Sequence, residues 1–416
     1  MKGSLNIWLV TIGEPLPLEP HVRKLRTGIV ADCLLERGHQ VRWWVSAFEH
    51  QRKQMLFNED REISLSPRYT LNVLKGCGYR SNISLRRYLD HLMIARRFAQ
   101  SSRHFAPPDA IVASMPCYHL AYEAVRYGRQ RRISVIVDVR DLWPDIFVGA
   151  ISSPLMKALV RGLLIRDYRR LDYLLGRATG ILAMSGGVLR WALYHARREA
   201  HACDGVFYLG YPKVESAQGP PVWLKDHTGQ KLITYVGTFG RSYELPLVVE
   251  AARRFHHSGR RDVCFVLAGT GEQEAELRDR SRDLPNVVMT GWLQSDEIAA
   301  LLSRSYLGVI PCRSVIDAMP NKTFEYLAAG LPVVSSLEGE MAEIITERDI
   351  GLNYGAGDGD GLFQTISSLL DDQGRRDKMA DNARDFFAEK GDAQKIYHAY
   401  AEHIERVCRT SSRVNP

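Results

Sequence analysis

The chain has 416 residues, 45% of them hydrophobic, and a formal net charge of +7. This length predicts two or three domains with cores of ordinary size. No apolar run reaches the roughly 18 residues that a membrane-spanning helix needs, and the N-terminus has no secretory leader pattern. The seven cysteines are scattered and never form a Cys-x-x-Cys pair, which argues against a disulfide framework or a zinc site and predicts reduced thiols of a cytosolic protein.

Strand-like runs alternate with helical patterns along the whole chain. The first series of runs comprises Asn6–Thr11, Val41–Ser46, Ala110–Ser114, Ser134–Asp138 and Gly180–Met184. The second series comprises Leu232–Gly237, Val263–Gly269, Val287–Thr290, Leu307–Ile310 and Pro332–Ser335. Helical segments between the strands include Glu244–His257, Asp296–Ser303 and Asp360–Leu370. Nearly unbroken apolarity is typical of buried parallel strands, so the order predicts an α/β protein of two tandem doubly wound domains.

The domain boundaries are expected where the composition changes. The polar stretch 213–228, which contains Pro and Gly, is the best linker. We therefore expect one domain over residues 1–212 and a second over residues 229–394. Residues 395–416 are expected to form a C-terminal helix and tail that packs back on the first domain.

Charge is distributed unevenly along the chain. Residues 1–228 hold 33 Lys and Arg against 20 Asp and Glu, whereas residues 229–394 hold 18 against 26. The first half is therefore strongly basic and is expected to meet an anionic partner.

Two basic stretches in the first half alternate with apolar residues. Residues 80–104 hold six Arg against one acid, and residues 151–200 hold nine Lys and Arg against three acids. They are either ordinary solvated helices or an attachment to an anionic membrane surface, with each basic residue near the membrane adding on the order of 1 kcal/mol. We expect no nucleic-acid binding, because no binding motif is present.

The first domain offers four candidate site residues. Gly13 lies in the loop after the first predicted strand. Arg140 and Asp141 follow Ser134–Asp138, and in doubly wound sheets the carboxyl ends of the strands face the ligand crevice. His119 is a further candidate, although a lone histidine is more often structural.

The most informative stretch lies in the second domain. Asp317 and Glu325 stand eight positions apart, and Asn321 between them is a good N-cap for a helix that ends before Gly330. A helix N-terminus presents free N–H groups and a positive dipole end, which is a ready phosphate site. Lys322 in the first turn strengthens this field. The segment therefore suggests a site for a sugar nucleotide.

This segment resembles the acid-x7-acid signature of retaining GT-B glycosyltransferases. The resemblance implies two Rossmann-like domains with a cleft between them, and a donor sugar held by Asp317. It also implies that Glu325 binds the ribose of the nucleotide. The positions that it assigns to the diphosphate-binding loop and helix start are Met319, Pro320, Asn321 and Thr323. The family usually has Glu where Asp317 stands, so this chain is one methylene shorter there.

Further segments resemble the same family in the same order. Gly237 and Thr238 resemble its phosphate-facing loop, Gly269 and Gly271 its Gly-x-Gly turn near the nucleoside, and Trp292 its base-reading loop. In the first domain, Asp-Leu-Trp-Pro at 141–144 resembles a subset of the family that builds bacterial surface polysaccharides.

The chain departs from the family where an Arg and a Lys usually neutralise the diphosphate. Thr238 and Tyr243 stand at those positions. A retaining transferase without a metal must still stabilise charge on the leaving diphosphate. We therefore assign this task first to Lys322 and second to Arg241, and we expect no metal or other cofactor.

The resemblance implies a glycosyltransferase of the hexosyl or N-acetylhexosaminyl type that moves a sugar from a nucleotide-sugar, expected to be a UDP-sugar. The acceptor is expected to be lipid-linked or a glycan, at the inner face of the membrane. An epimerase on the same fold and a binding protein without transfer activity remain alternatives. A nicotinamide oxidoreductase is disfavoured, because the loop around Gly13 has no Gly-x-Gly-x-x-Gly.

Overall fold

The computed structural model describes residues 3–19, 22, 24–81, 84–149, 151, 153–212, 222–313 and 319–414. The chain divides into two compact units, one formed by Met1–Phe207 with Tyr397–Pro416 and the other by Tyr208–Ile396. In the stretch predicted as a linker, residues 213–221 lie outside the described part. Val222–Lys225 form a short helix, and Leu224 is buried in the core of the second unit.

The described part of the first unit contains ten strands, and eight of them form one sheet. Its strands are β1 (Asn6–Val10), β2 (Gln40–Ser46), β3 (Phe48–Glu49), β4 (Gln54–Met55), β5 (Arg61–Ser66), β6 (Tyr69–Leu74), β7 (Ala110–Ser114), β8 (Ser134–Val139), β9 (Gly180–Ala183) and β10 (Gly205–Val206). Its helices are α1 (Arg26–Glu36), α2 (Leu85–Ser101), α3 (Tyr118–Arg131), α4 (Asp145–Gly149), α5 (Pro154–Leu163), α6 (Ile165–Arg177) and α7 (Gly186–Ala196), with a 3-10 turn at Ser102–His104.

The strand order in this sheet is β10-β9-β8-β7-β1-β2-β6-β5, and every pair is parallel except β5 with β6. Strands β3 and β4 form a separate antiparallel pair. All five predicted strands of this unit are present. Sequence reasoning missed β5 and β6, whose hairpin forms the edge of the sheet.

The second unit is a six-stranded, all-parallel α/β sheet. Its strands are β11 (Lys231–Val236), β12 (Val263–Ala268), β13 (Val287–Gly291), β14 (Ser305–Ile310), β15 (Val333–Ser335) and β16 (Gly351–Asn353), in the order β13-β12-β11-β14-β15-β16. The helices that follow α7 are α8 (Val222–Lys225), α9 (Leu245–His257), α10 (Glu274–Arg280), α11 (Ser295–Arg304), α12 (Asn321–Ala328), α13 (Glu340–Glu347), α14 (Gly359–Asp371) and α15 (Gln373–Phe386), then a π-helical turn at Phe387–Gly391 and α16 (Ala393–Val414). The predicted class, two doubly wound α/β domains, is confirmed.

Aromatic packing dominates the core of the first unit. The ring of Trp8 stacks on Tyr127 with centroids 5.4 Å apart, and Trp44 meets Phe98 edge-on at 5.1 Å. In the second unit, two apolar clusters include alternate residues of β11, with Leu232 in one cluster and Ile233 in the other. This arrangement is expected of a parallel sheet that is buried on both faces.

The last helix begins in the second unit and from Tyr397 onward belongs to the first. There Tyr400 is buried, with its ring 4.9 Å from the guanidinium of Arg26. Glu405 accepts a hydrogen bond from Arg37 at 2.6 Å and lies 2.9 Å from His39, and these partners lower the pKa of its carboxyl to about 2. The end of the chain is thus part of the structure of the first unit.

Among the described residues, no helix is both long enough and apolar enough to span a bilayer.

Candidate functional site

A buried tyrosine anchors helix α12 to the sheet of the second unit. The backbone N–H of Val236 donates to the hydroxyl of Tyr326 at 2.8 Å, and that hydroxyl lies 3.4 Å from the carbonyl of Val309. The ring covers Gly308, where an added Cβ would lie 2.4 Å from it. The helix is therefore fixed near the carboxyl ends of β11 and β14, the region where open α/β sheets bind ligands.

The first turn of α12 differs by one residue from the prediction. Asn321 was expected as the N-cap, but Pro320 takes that position and Asn321 is the first helical residue. Proline in extended backbone ends the preceding loop, and its carbonyl accepts from the N–H of Thr323 at 3.0 Å. The hydroxyl of Thr323 is buried and has no hydrogen-bond partner among the described residues.

The ammonium of Lys322 lies in an aromatic box, by which we mean the rings of Tyr235 and Tyr243. Its Nζ is 3.9 Å from the centroid of one ring and 3.6 Å from that of the other. Nζ is buried and has no hydrogen-bond partner in the described part of the chain. Burial lowers the pKa of this lysine to about 7, although Cys312 and Glu325 oppose the shift. A buried amine without a hydrogen-bond partner among the described residues is well suited to meet an incoming anion.

Backbone forms the wall beside this amine. A Cβ on Gly237 would lie 2.9 Å from the Nζ of Lys322. A Cβ on Gly269, which has a φ of +147°, would lie 1.9 Å from the carbonyl oxygen of Gly237, and one on Gly271 would lie 2.8 Å from the backbone of Phe239. The Gly-x-Gly turn is therefore required for two loops to pass this closely.

The remaining predicted residues of this unit are less enclosed. Thr238 is exposed, and its carbonyl accepts from the hydroxyl of Tyr235 at 2.8 Å. Glu325 is half-buried, and Trp292 is 73% exposed. Met319 is buried below the start of the helix.

Arg241, a predicted catalytic residue of this unit, does not lie in the aromatic box. Arg241 is on the surface, and its Nε lies 3.3 Å from a carboxylate oxygen of the exposed Glu272. The structure thus gives it a solvated ion pair. Asp317 lies outside the described residues.

In the first unit, a cavity of about 340 Å³ opens at the carboxyl ends of β1, β2, β7 and β8. Gly13 and Asp141 line it, as the sequence predicted for a crevice at this edge. The N–H of Leu142 donates to Asp141 at 2.8 Å, and burial raises the pKa of this aspartate.

Aromatic rings and an arginine form much of the cavity wall. The guanidinium of Arg87 lies 4.5 Å from the ring of Trp143 and 5.4 Å from that of Tyr79. His91 stacks on Trp143 at 5.9 Å, and His50 lies 2.6 Å from the hydroxyl of Tyr79. Burial lowers the pKa of His50 to about 4 and that of His91 to about 3, so both imidazoles are neutral near pH 7.

Sequence reasoning missed this part of the cavity wall. It counted Arg87 among the basic surface residues, and the structure corrects this. Arg87 and His91 stand four positions apart and share a face of α2, which is the signal that could have paired them.

Two other candidates have internal roles. Arg140 donates to Asp138, Glu14, Thr27 and Ser114, so its guanidinium is occupied within the unit. His119 does not line the cavity. It is buried 3.3 Å from Arg170 of α6, and burial lowers its pKa to about 3.

Two Rossmann-like α/β units are the architecture of the GT-B glycosyltransferases. An Anabaena protein solved in complex with UDP-glucose has this fold, with a TM-score of 0.62 and 14% identity over 97% of this chain and 100% of that one. The sequence match is narrower: residues 230–372 match the family described as Glycosyl transferases group 1. The predicted resemblance to GT-B glycosyltransferases is confirmed, and it is carried in sequence by the second unit.

Curated relatives are matched over part of their length. A glycogen synthase of Mycobacterium tuberculosis is 27% identical over 194 residues, which are 45% of this chain and 46% of that protein. The O-antigen chain mannosyltransferase C of Escherichia coli is 26% identical over 180 residues, 42% of this chain and 47% of that protein. The chain thus spans less than half the length of these relatives in the matched region.

Proposed function

We propose that this protein is a retaining glycosyltransferase that moves a sugar from a UDP-sugar to a lipid-linked or glycan acceptor in polysaccharide or glycolipid synthesis. The observation that carries the proposal is Lys322, a buried ammonium without a hydrogen-bond partner among the described residues, in the first turn of α12. Such a group beside a helix N-terminus favours a diphosphate.

The donor assignment rests on the second unit. Gly237 leaves backbone rather than a side chain on one side of the amine of Lys322, and this supports a phosphate site there. Glu325, half-buried about one helical turn further on, is assigned to the vicinal hydroxyls of the ribose. The relative solved with UDP-glucose supports uridine as the base, and the match over residues 230–372 supports the reaction class.

In the proposed reaction, the bond between the anomeric carbon and the diphosphate oxygen breaks while the acceptor hydroxyl attacks from the same face. The leaving phosphate takes the proton of that hydroxyl. Lys322 stabilises the negative charge that grows on the diphosphate, and Asp317 is assigned to the donor sugar. No metal is required, because a lysine and a helix dipole supply the positive field.

The acceptor is assigned to the cavity of the first unit. Trp143 lines this cavity, and Asp141 and Arg87 offer hydrogen-bonding groups for the hydroxyls of a sugar. The relation to an O-antigen mannosyltransferase supports a polysaccharide pathway, and a lipid-linked acceptor would place the protein at the inner face of the membrane.

A screen of nucleotide-sugars for thermal stabilisation tests the donor assignment, since a ligand that binds only the folded state raises the melting temperature with its concentration. We expect UDP and one UDP-sugar to stabilise the protein, and Glu325→Ala to weaken that effect. Glu276→Ala is the matched control, because Glu276 is a half-exposed acid that pairs with Arg280 in the same unit. Equal loss in both variants would refute the role of Glu325.

Turnover tests the chemistry. We expect Lys322→Ala to lower kcat more than it raises KM, at a cost of about 2.7–4 kcal/mol for a preorganised electrostatic donor. EDTA should leave the rate unchanged, and a requirement for added Mg²⁺ or Mn²⁺ would overturn the mechanism. An isomerised nucleotide-sugar formed without acceptor would identify an epimerase instead.

A further inference from the structure

Helix α5 has no buried residue. Its apolar side chains share one side and are largely exposed: Leu155 is 79% exposed, Leu159 is 56% and Leu163 is 74%. Met156 of α5, which is 47% exposed, and Ile165 at the start of α6, which is 49% exposed, extend the same surface. We call these five residues the α5 face. An exposed apolar patch of this kind marks an interaction site.

Helix α2 adds apolar residues from the same region of the first unit. Leu85 is 74% exposed, Leu89 is 47% and Met93 is 37%. The hydroxyl of Tyr88 on α2 donates to Asp167 on α6 at 3.1 Å, so the two helices meet two residues beyond Ile165.

In the segment 154–170, which carries the α5 face, the exposed charges have one sign. The residues Lys157, Arg161, Arg166 and Arg169 lie on or next to it, and all three of these arginines are exposed. Between residues 154 and 170 the one carboxylate is that of Asp167, which is buried and already accepts from Tyr88.

Some arginines that the sequence suggested for membrane attachment have other tasks. Arg86 donates to the carbonyls of Gly78 and Cys77, Arg97 pairs with Asp60, and Arg170 contacts His119. With Arg87 in the cavity wall, the basic surface of residues 80–104 reduces to the exposed Arg80, Arg96 and Arg103, and the basic residues around α5 remain.

We propose that the α5 face docks on an anionic lipid bilayer. Its leucines enter the headgroup boundary and its basic residues meet lipid phosphates. A second copy of the chain is a poorer occupant, because a two-fold dimer brings the same patch of both copies together. That contact would place arginine against arginine with no exposed carboxylate in this segment to balance them.

Docking here would place the cavity of the first unit beside the bilayer. Arg87 and His91 line the cavity from α2, whereas Leu85, Leu89 and Met93 of the same helix are exposed. Leu85 and His91 are six positions apart on the helix, about 9 Å along its axis. This step rests on the proposed function: the polar head of a lipid-linked acceptor enters the cavity while its lipid stays in the membrane.

Binding of the purified full chain to vesicles tests the apolar part of the face. The vesicles contain phosphatidylcholine with about one-third phosphatidylglycerol, or phosphatidylcholine alone. We expect binding to the anionic vesicles and a loss of at least about tenfold in the variant Leu155→Ser, Leu159→Ser, Leu163→Ser, since each removes apolar area from the membrane. Tyr194→Ser is the control, because Tyr194 is a 79% exposed apolar residue elsewhere in the unit.

A pair of matched triple variants tests the charge. Arg161→Gln, Arg166→Gln, Arg169→Gln should weaken binding to anionic vesicles about a hundredfold. The control is Arg129→Gln, Arg132→Gln, Arg177→Gln, which removes the same charge from three exposed arginines that line a different cavity of the unit. If the position of the charges matters, the affinity of the control for anionic vesicles should stay within about twofold of that of the parent chain.

The proposal would be overturned by equal weakening by both arginine triples, by equal binding to neutral and anionic vesicles, or by a stable dimer that the leucine variant converts to monomer. Stabilisation by UDP is measured on every variant in parallel. Vesicle binding without any sugar transfer would sink the proposed function and leave the docking face standing. Sugar transfer to a soluble acceptor without vesicle binding would overturn the docking face and leave the proposed function standing.

Discussion

Lys322 is held in the free protein at an energetic cost. Its side chain is buried, and this burial lowers its pKa from an ordinary value of 10.5 to about 7. The rings of Tyr235 and Tyr243 attract the ammonium, but neither supplies a hydrogen-bond acceptor to it in the described structure. A cation–π contact offsets only part of the desolvation of a buried cation. The buried charge of this residue therefore lowers the stability of the ligand-free protein.

The stability of the protein should report this cost. Between pH 7 and 10.5 the unfolded lysine binds a proton that the folded lysine has lost, so the free energy of unfolding contributed by this group rises with pH. We expect Lys322→Met to stabilise the ligand-free protein below pH 7 by a few kcal/mol, at about 1.4 kcal/mol per pKa unit. The gain should shrink as pH approaches 10.5.

Urea denaturation at pH 6 and at pH 9 measures this difference. Lys378→Met is the control, because Lys378 is a largely exposed lysine of the same unit. If Lys322→Met destabilised the protein equally at both pH values, the lysine would be a structural residue rather than a buried charge awaiting an anion.

At the scale of elements, the Gly-x-Gly turn after β12 brings two loops into contact beside Lys322. Gly269→Ala would place a Cβ 1.9 Å from the carbonyl oxygen of Gly237, at a φ that alanine rarely adopts. We expect a loss of about 2–4 kcal/mol in unfolding free energy, from backbone strain and overpacking together. UDP affinity should fall as well, because Gly237 forms the wall beside the amine.

Gly240→Ala is the matched control for this substitution. An added Cβ there meets nothing closer than the hydroxyl of Ser242 at 3.8 Å, so we expect a change within about 0.5 kcal/mol. Thermal melts and UDP titrations of both variants give the comparison. A Gly269→Ala protein as stable as the parent would show that the two loops can separate.

Elements with strong apolar patterns were predictable, and those without were not. Every predicted central strand is present, because burial on both faces leaves a continuous apolar run. Strand β5 was missed because Arg61–Ser66 is exposed or half-buried throughout and reads as polar. The start of α12 was predicted to within one residue, since asparagine and proline both interrupt the chain there.

The site was predictable only where the residues that form it are neighbours in the sequence. Lys322 could be recognised from its position in the first turn of a predicted helix. Tyr235 belongs to a strand far away in the sequence, so its contact with Lys322 could be found only from the fold. Arg87 looks like one member of a basic surface stretch until the packing of α2 turns it toward Trp143. Pairings of this kind depend on tertiary contacts that no local pattern records.

At the scale of the whole molecule, the chain returns to its first unit at its end. The last helix covers a buried charge network: Arg26 donates to Asp138 at 3.0 Å, and the ring of Tyr400 lies over its guanidinium. His403 lies 2.9 Å from the carbonyl of Cys203. Because buried ions are stable only when their partners and their covering are complete, this helix should be essential to the first unit.

We therefore expect Tyr400→Ala to destabilise the first unit by about 3–5 kcal/mol, the usual cost of deleting a large buried aromatic side chain. Hydrogen exchange should show faster exchange in β1 and β8, while β11 and β12 of the second unit keep their protection, because each unit has its own core. Tyr194→Ala is the control, since Tyr194 is a 79% exposed tyrosine of the first unit and its loss should cost less than about 0.5 kcal/mol. UDP should still stabilise the second unit of the Tyr400→Ala variant. Equal loss of protection in both units would instead mean that they unfold as one cooperative body, with the last helix linking them.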